Sequence, residues 1–118
     1  MTEHYKKKDL KVSKKAEELL NMIYPSLVNY PKAEKFALCA EIKEHFYKLI
    51  ANIEMANSVK SKRMIYAQGA DGHLQTLKIL FRLSRNRRYI SNGFYKTVDV
   101  RLTAITKLLS GCIREAAR

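Results

Sequence analysis

The feature that most limits how this chain can fold is a recurrence of apolar residues every three or four positions in four successive stretches. Only four glycines and two prolines interrupt its 118 residues. Such spacing lines up apolar side chains on one face of an α-helix. The first stretch runs from about Lys11 to Val28, with Val12, Ala16, Leu19, Leu20, Ile23 and Leu27 on the inner face. Ser13 is its candidate cap, and Glu17 and Glu18 sit toward the positive end of the helix dipole. At Tyr30-Pro31 the residue before proline is driven from the helical region, so a second helix is predicted from near Pro31 to Asn57. It turns Phe36, Cys39, Ile42, Phe46, Leu49, Ile50 and Ile53 inward.

A third helix is predicted from Lys60 to Asn86, with Leu77, Leu80, Leu83 and Ser84 inside and Ile79 at the flank. Gly69 and Gly72 interrupt it, each at about 1 kcal/mol in a helix interior, and mark either a break or a close helix contact. After the short connection Arg87-Arg88-Tyr89-Ile90, Ser91 or Asn92 caps a fourth helix carrying Phe94, Val98, Leu102, Ile105, Leu109 and Cys112 on one stripe. The simplest burial of four such stripes joined by short loops is an antiparallel up-down four-helix bundle, so the expected fold class is all-α. Residues 1–118 are read as one domain, with 1–10 a basic, flexible amino-terminal segment.

Charge gives the first functional clue. The chain carries 23 Lys and Arg against 11 Asp and Glu, a formal +12. Residues 1–59 hold ten basic and eight acidic side chains, whereas residues 60–118 hold thirteen and three. An anionic partner is the natural counterpart of such a surplus. At 100° per residue, Lys78, Arg82 and Arg85 fall on one outward stripe of the third helix. Lys96, Lys107, Arg114 and Arg118 form a second stripe, opposite the apolar face of the fourth helix. Arg87 and Arg88, beside Tyr89, add two phosphate-fitting guanidinium groups and a ring able to stack on a base. The expected nucleic-acid-binding residues are therefore Lys78, Arg82, Arg85, Arg87, Arg88, Lys96, Lys107 and Arg114, contacting the phosphate backbone of RNA or DNA.

Catalytic chemistry finds little support. His4, His45 and His73 are scattered, Glu41 and His45 make only one i, i+4 pair, and no HExxH or CxxC spacing occurs. No phosphate-cradling glycine loop is present, and Ser84 and Ser110 have no nearby histidine base. We expect no enzyme, no metal and no cofactor. Cys39 and Cys112 lie among apolar neighbours, as reduced core thiols do. The basic amino terminus, Lys6-Lys7-Lys8 included, has no apolar stretch behind it, and the apolar helix faces are needed for the core, so the expectation is a cytoplasmic protein with no membrane partner.

Tyr30-Pro31-Lys32-Ala33-Glu34-Lys35-Phe36-Ala37-Leu38 resembles the start of the second helix in two families of small four-helix proteins. These are the accessory variability determinant (Avd) family of diversity-generating retroelements and the proteins encoded within 23S ribosomal RNA intervening sequences. The run from Ala70 to Leu83, Ala-Asp-Gly-His-Leu-Gln-Thr-Leu-Lys-Ile-Leu-Phe-Arg-Leu, followed by Arg88-Tyr89-Ile90-Ser91, is similar to the Avd third helix and loop. Where the intervening-sequence family has Asn-Ile-Ala-Glu-Gly, this chain reads Asn52-Ile53-Glu54-Met55-Ala56. The resemblance spans roughly Ile23 to Ile113 and departs at Ser110-Gly111-Cys112-Ile113, where Avd-like chains read Gly-Gly-Trp-Ile. It implies a homopentameric barrel of four-helix protomers that binds the element's reverse transcriptase and its template RNA during mutagenic cDNA synthesis. The alternative it leaves is a protein-interaction scaffold of the intervening-sequence type that binds no nucleic acid.

Overall fold

The computed structural model describes the backbone of residues 2–117 and the side chains of residues 11–117. Among these residues there are four α-helices and no strand: α1 (Thr2–Ile23), α2 (Leu38–Ser58), α3 (Arg63–Asn86) and α4 (Asn92–Ala117). Each helix packs on its neighbour in sequence, and α4 closes back onto α1. The result is a four-helix bundle, about 48 × 25 × 20 Å between extreme Cα positions. Its interior is one continuous cluster running from Val12 to Leu109. The α1–α2 and α3–α4 connections lie at the same end, where the Tyr30 and Tyr89 rings meet at 5.4 Å and the Tyr89 hydroxyl donates to Glu34 Oε2 at 3.0 Å.

The helix limits differ from those read from periodicity, for local reasons. α1 starts at Thr2, so Ser13 lies within it; Ser13 is buried and donates to Glu54 Oε1 on α2. The expected flexible segment 1–10, with Lys6-Lys7-Lys8, lies outside the residues whose side chains are described. α1 ends at Ile23 rather than Val28, because Pro25 has no amide hydrogen and its ring crowds the preceding turn; the chain tightens into a 3₁₀ turn over Tyr24–Asn29. The Lys35 ammonium then donates to the Leu27 and Val28 carbonyls at 2.9 and 2.7 Å, satisfying groups that a helix end leaves open. This folds residues 31–37 into a compact turn, and α2 begins at Leu38 instead of Pro31. Phe36, expected in the core, is 96% exposed.

α3 runs through both glycines unbroken and buries Leu77 and Ser84 as expected, but turns Leu80 and Leu83 outward. Its buried positions are Arg63, Ala67, Ala70, Leu74, Leu77, Phe81 and Ser84, alternating four and three apart. Leu80 is half-buried and Leu83 is 39% exposed, while Phe81 fills the centre, its ring edge-on to Phe46 at 6.3 Å. Gly69 marks the close contact: a Cβ there would stand 3.1 Å from Asn52 Oδ1 on α2, whereas a Cβ on Gly72 meets nothing within 4 Å. Gly72→Ala is therefore expected to stabilise the bundle by roughly 0.5–1 kcal/mol, and Gly69→Ala by less, in chemical denaturation.

The α2–α3 seam also joins two histidines separated by 28 residues in sequence. His45 Nδ1 and His73 Nδ1 are 3.0 Å apart, and His45 Nε2 lies 3.4 Å from Glu41 Oε2. Among the described residues no group of three or more ligating side chains could hold a metal ion. Burial, helped by the charges of His45 and Lys48 and opposed by Glu44, holds His73 below its ordinary 6.5. As pH falls through that value the unfolded chain takes up this proton before the folded one does, so neutral His73 stabilises fully above it and progressively less below. The melting temperature is expected to drop between about pH 7.5 and about pH 5.5, and His73→Gln to reduce that drop.

Candidate nucleic-acid interface

The cationic side chains of α3 reach the interface by way of a helix end. Tyr89 N–H donates to the Ser84 carbonyl and Arg88 N–H to the Arg85 carbonyl, both at 2.9 Å, the paired bonds of a Schellman stop. The residue that such a stop holds in the left-handed region is usually glycine; here it is Arg88, at φ 62°. Immediately after it the Ser91 hydroxyl accepts the Phe94 N–H at 3.0 Å and caps α4. The cap starts a 26-residue helix at Asn92, four residues after Arg88, and with it the positive end of the helix dipole. Arg85, Asn86, Arg88, Tyr89, Ile90, Ser91 and Asn92 line an open cleft of about 640 Å³ there. Arg85, Arg88 and the first residue of α4 thus border one hollow, with Arg87 exposed next to it in sequence, and positive charge prevails around it.

The eight expected residues do not form one continuous patch. Lys78 and Arg85 lean across the α3–α4 seam: Lys78 donates to Thr103 Oγ1 at 2.9 Å, and the Arg85 guanidinium lies 4.3 Å from the Tyr95 ring centre. Both are half-buried, so the stripe expected to face solvent is open only at Arg82. Arg87, Arg88 and Lys96 are exposed near the arginine end. Lys107 and Arg114 are exposed too, but at 1.5 Å per residue they stand about 22 and 33 Å from the start of α4. Arg118, placed on their stripe by the sequence, lies outside the described residues. Asn86, Ser91 and Asn92 enter the site through the cap geometry, and only Ser91 and Asn92 carried any signal, as candidate caps.

Arg88 permits a test that separates fold from binding. Glycine at this position relieves the left-handed strain and removes one cation, so Arg88→Gly is expected to raise stability by about 1 kcal/mol while weakening RNA binding several-fold. Denaturation and anisotropy titrations on the same preparation measure both signs.

Among the described residues no helix is long and apolar enough to cross a membrane. Cys39 is buried and Cys112 half-buried, and neither is in a disulfide. A family model described as bAvd-like matches residues 10–116. Among solved structures, the chain is similar to a protein of unknown function from the S23 ribosomal protein family of Bacteroides thetaiotaomicron, at 22% identity and a TM-score of 0.81. The match covers 91% of this chain and 98% of that one, and at this identity it establishes the bundle fold. No curated protein matches the sequence.

Proposed function

Since the chain belongs to the bAvd-like family, we propose that it is a non-enzymatic, nucleic-acid-binding accessory protein that brings a retroelement reverse transcriptase and its template RNA together. The observation that carries this reading is the arginine turn: a positively charged side chain occupies a left-handed position where glycine is easier, beside Arg85, Arg87 and the amino terminus of α4. Strain kept at a surface cluster of like charge fits a site that meets an anion. The Lys and Arg residues along α4 extend the same field away from the cleft, as backbone contacts without base reading require.

On this reading the protomers form a homopentamer carrying about +60, five times the charge of one chain. Exposed Ile65, Ile79 and Val100, at 66%, 56% and 68%, are among the apolar side chains on α3 and α4 that packing between copies would cover. Those same exposed residues favour the second reading, a protein-interaction scaffold with no nucleic-acid contact. The test is retention of the element's reverse transcriptase and template RNA on the immobilised chain, with and without nuclease. The accessory reading expects both to be retained, and the RNA to be released when Arg82, Arg85, Arg87 and Arg88 are neutralised. Retention of the enzyme alone, unaffected by nuclease, supports the scaffold instead.

A further inference from the structure

The α1–α2 side of the bundle carries a set of exposed rings. Where α1 gives way to the 3₁₀ turn and meets α2, Tyr24, Phe36 and Tyr47 stand around a cleft of about 830 Å³. Phe36 is 96% exposed, Tyr47 50% and Tyr24 42%. The charged side chains lining the cleft are Lys35 and Lys43, with no carboxylate among them. Lys43 Nζ lies over the Tyr24 ring, 4.9 Å from its centre, and Lys35 is fixed by the Leu27 and Val28 carbonyls. Tyr47 and Lys43 beside it make the Tyr24 phenol more acidic than usual.

Resting on the nucleic-acid-binding reading above, we propose that this cleft holds the bases of a single-stranded segment, stacked on Phe36, Tyr24 and Tyr47, with Lys35 and Lys43 neutralising its phosphates. Three kinds of observation select that occupant. Exposed ring faces interleaved with cations are what sequence-tolerant single-strand binding uses, and a duplex hides its base faces. A lining that holds cations and no anion, on a chain of +12, is complementary to a polyanion. Finally, the cleft and the arginine turn lie at the same end of the bundle, tied by the Tyr30–Tyr89 and Tyr89–Glu34 contacts. A strand crossing that end traverses a section of about 20–25 Å, which at 3.4 Å per stacked nucleotide is roughly six or seven nucleotides. The cleft would then grip an unpaired stretch while the arginine turn holds the adjoining structured RNA.

Phe36→Ala/Tyr47→Ala in the full chain tests this, because both rings are exposed and their removal leaves the core intact. The probes are a labelled twelve-nucleotide RNA of one base type, a duplex of the same length, and an abasic strand of the same charge. The native chain is expected to bind the base-bearing strand more tightly than the abasic one. The double variant is expected to bind the former about tenfold more weakly while its duplex binding stays within about twofold. Phe36→Trp adds a direct reporter, since the chain contains no tryptophan: its fluorescence is expected to be quenched by the base-bearing strand and not by the abasic one.

Unchanged single-strand affinity in the double variant, with salt-dependent duplex binding retained, overturns the cleft proposal and leaves the nucleic-acid reading standing. An equal weakening toward strand and duplex also overturns it, as does normal RNA binding without retention of the reverse transcriptase, which would make the cleft a protein dock. Absence of any RNA binding by the native chain overturns both readings.

Discussion

Changing Arg82, Arg85, Arg87 and Arg88 together to Gln is expected to lower affinity for structured RNA by about 10²- to 10³-fold at 0.1 M salt, the largest effect on binding that this structure predicts. The size follows from counterion release: every phosphate that is no longer neutralised makes the slope of log affinity against log salt shallower by about 0.7–0.9, and four cations are removed at once. Lys78 is left in place because its half-buried ammonium ties α3 to Thr103 on α4, so that replacing it would alter the seam as well as the charge. Stability should change little. Arg82, Arg87 and Arg88 are exposed, and half-buried Arg85 contributes a stacking contact on Tyr95, worth about 1 kcal/mol. Anisotropy titrations of the native and variant chains at several salt concentrations give both the drop in affinity and the change in slope. A uniform drop with no change in slope would mean that the arginines act on the fold and do not touch phosphate.

The largest effect on stability is expected from Phe81→Ala. The ring is 1% exposed, packs edge-on against the fully buried Phe46, and sits where α2 and α3 meet the centre of the core. Removing it costs the transfer free energy of the deleted atoms plus that of the cavity, about 3–5 kcal/mol, a large share of what a domain of this size possesses. Leu83→Ala, on a side chain 39% exposed, is expected to cost under about 1 kcal/mol. Denaturant midpoints for the two variants decide between the observed register of α3 and the one that puts Leu80 and Leu83 inside; equal destabilisation would contradict the structure.

That register shows where the sequence was legible. α4 could be read almost residue by residue, since Val98, Leu102, Ile105 and Leu109 are its only strongly apolar run at helical spacing and Ser91 is a good cap beside it. α3 has apolar residues at Leu74, Leu77, Ile79, Leu80, Phe81 and Leu83, enough to draw two overlapping stripes. The choice between them falls to partners on other helices: Phe46 opposite Phe81 and Asn52 opposite Gly69. Phe36 was misplaced for a similar reason. Hydrophobicity put it inward, but the bonds of Lys35 to the preceding carbonyls hold the turn that directs it out.

The candidate site was legible as charge and not as shape. The excess of Lys and Arg after residue 60 pointed to α3, α4 and their connection, and Arg85 and Arg88 do line one cleft there, with Arg87 exposed between them in sequence. Periodicity cannot show that Lys78 and Arg85 lean into the α3–α4 seam, because that depends on which neighbour each helix face meets. Nor does it show that a helix stop places Arg88 at positive φ, or that His45 and His73 face each other across α2 and α3. The seam contacts and the histidine pair arise from packing between separate helices, whereas the stop at Arg88 is local and has no glycine to mark it.

The central claim is that the arginine end of the bundle binds nucleic acid through phosphate. Its most direct test is the slope of log affinity against log salt for the native chain with structured RNA. Four to six phosphate contacts predict a slope of about −3 to −5. A slope near zero, or no binding at about 0.1 M salt, would contradict the claim.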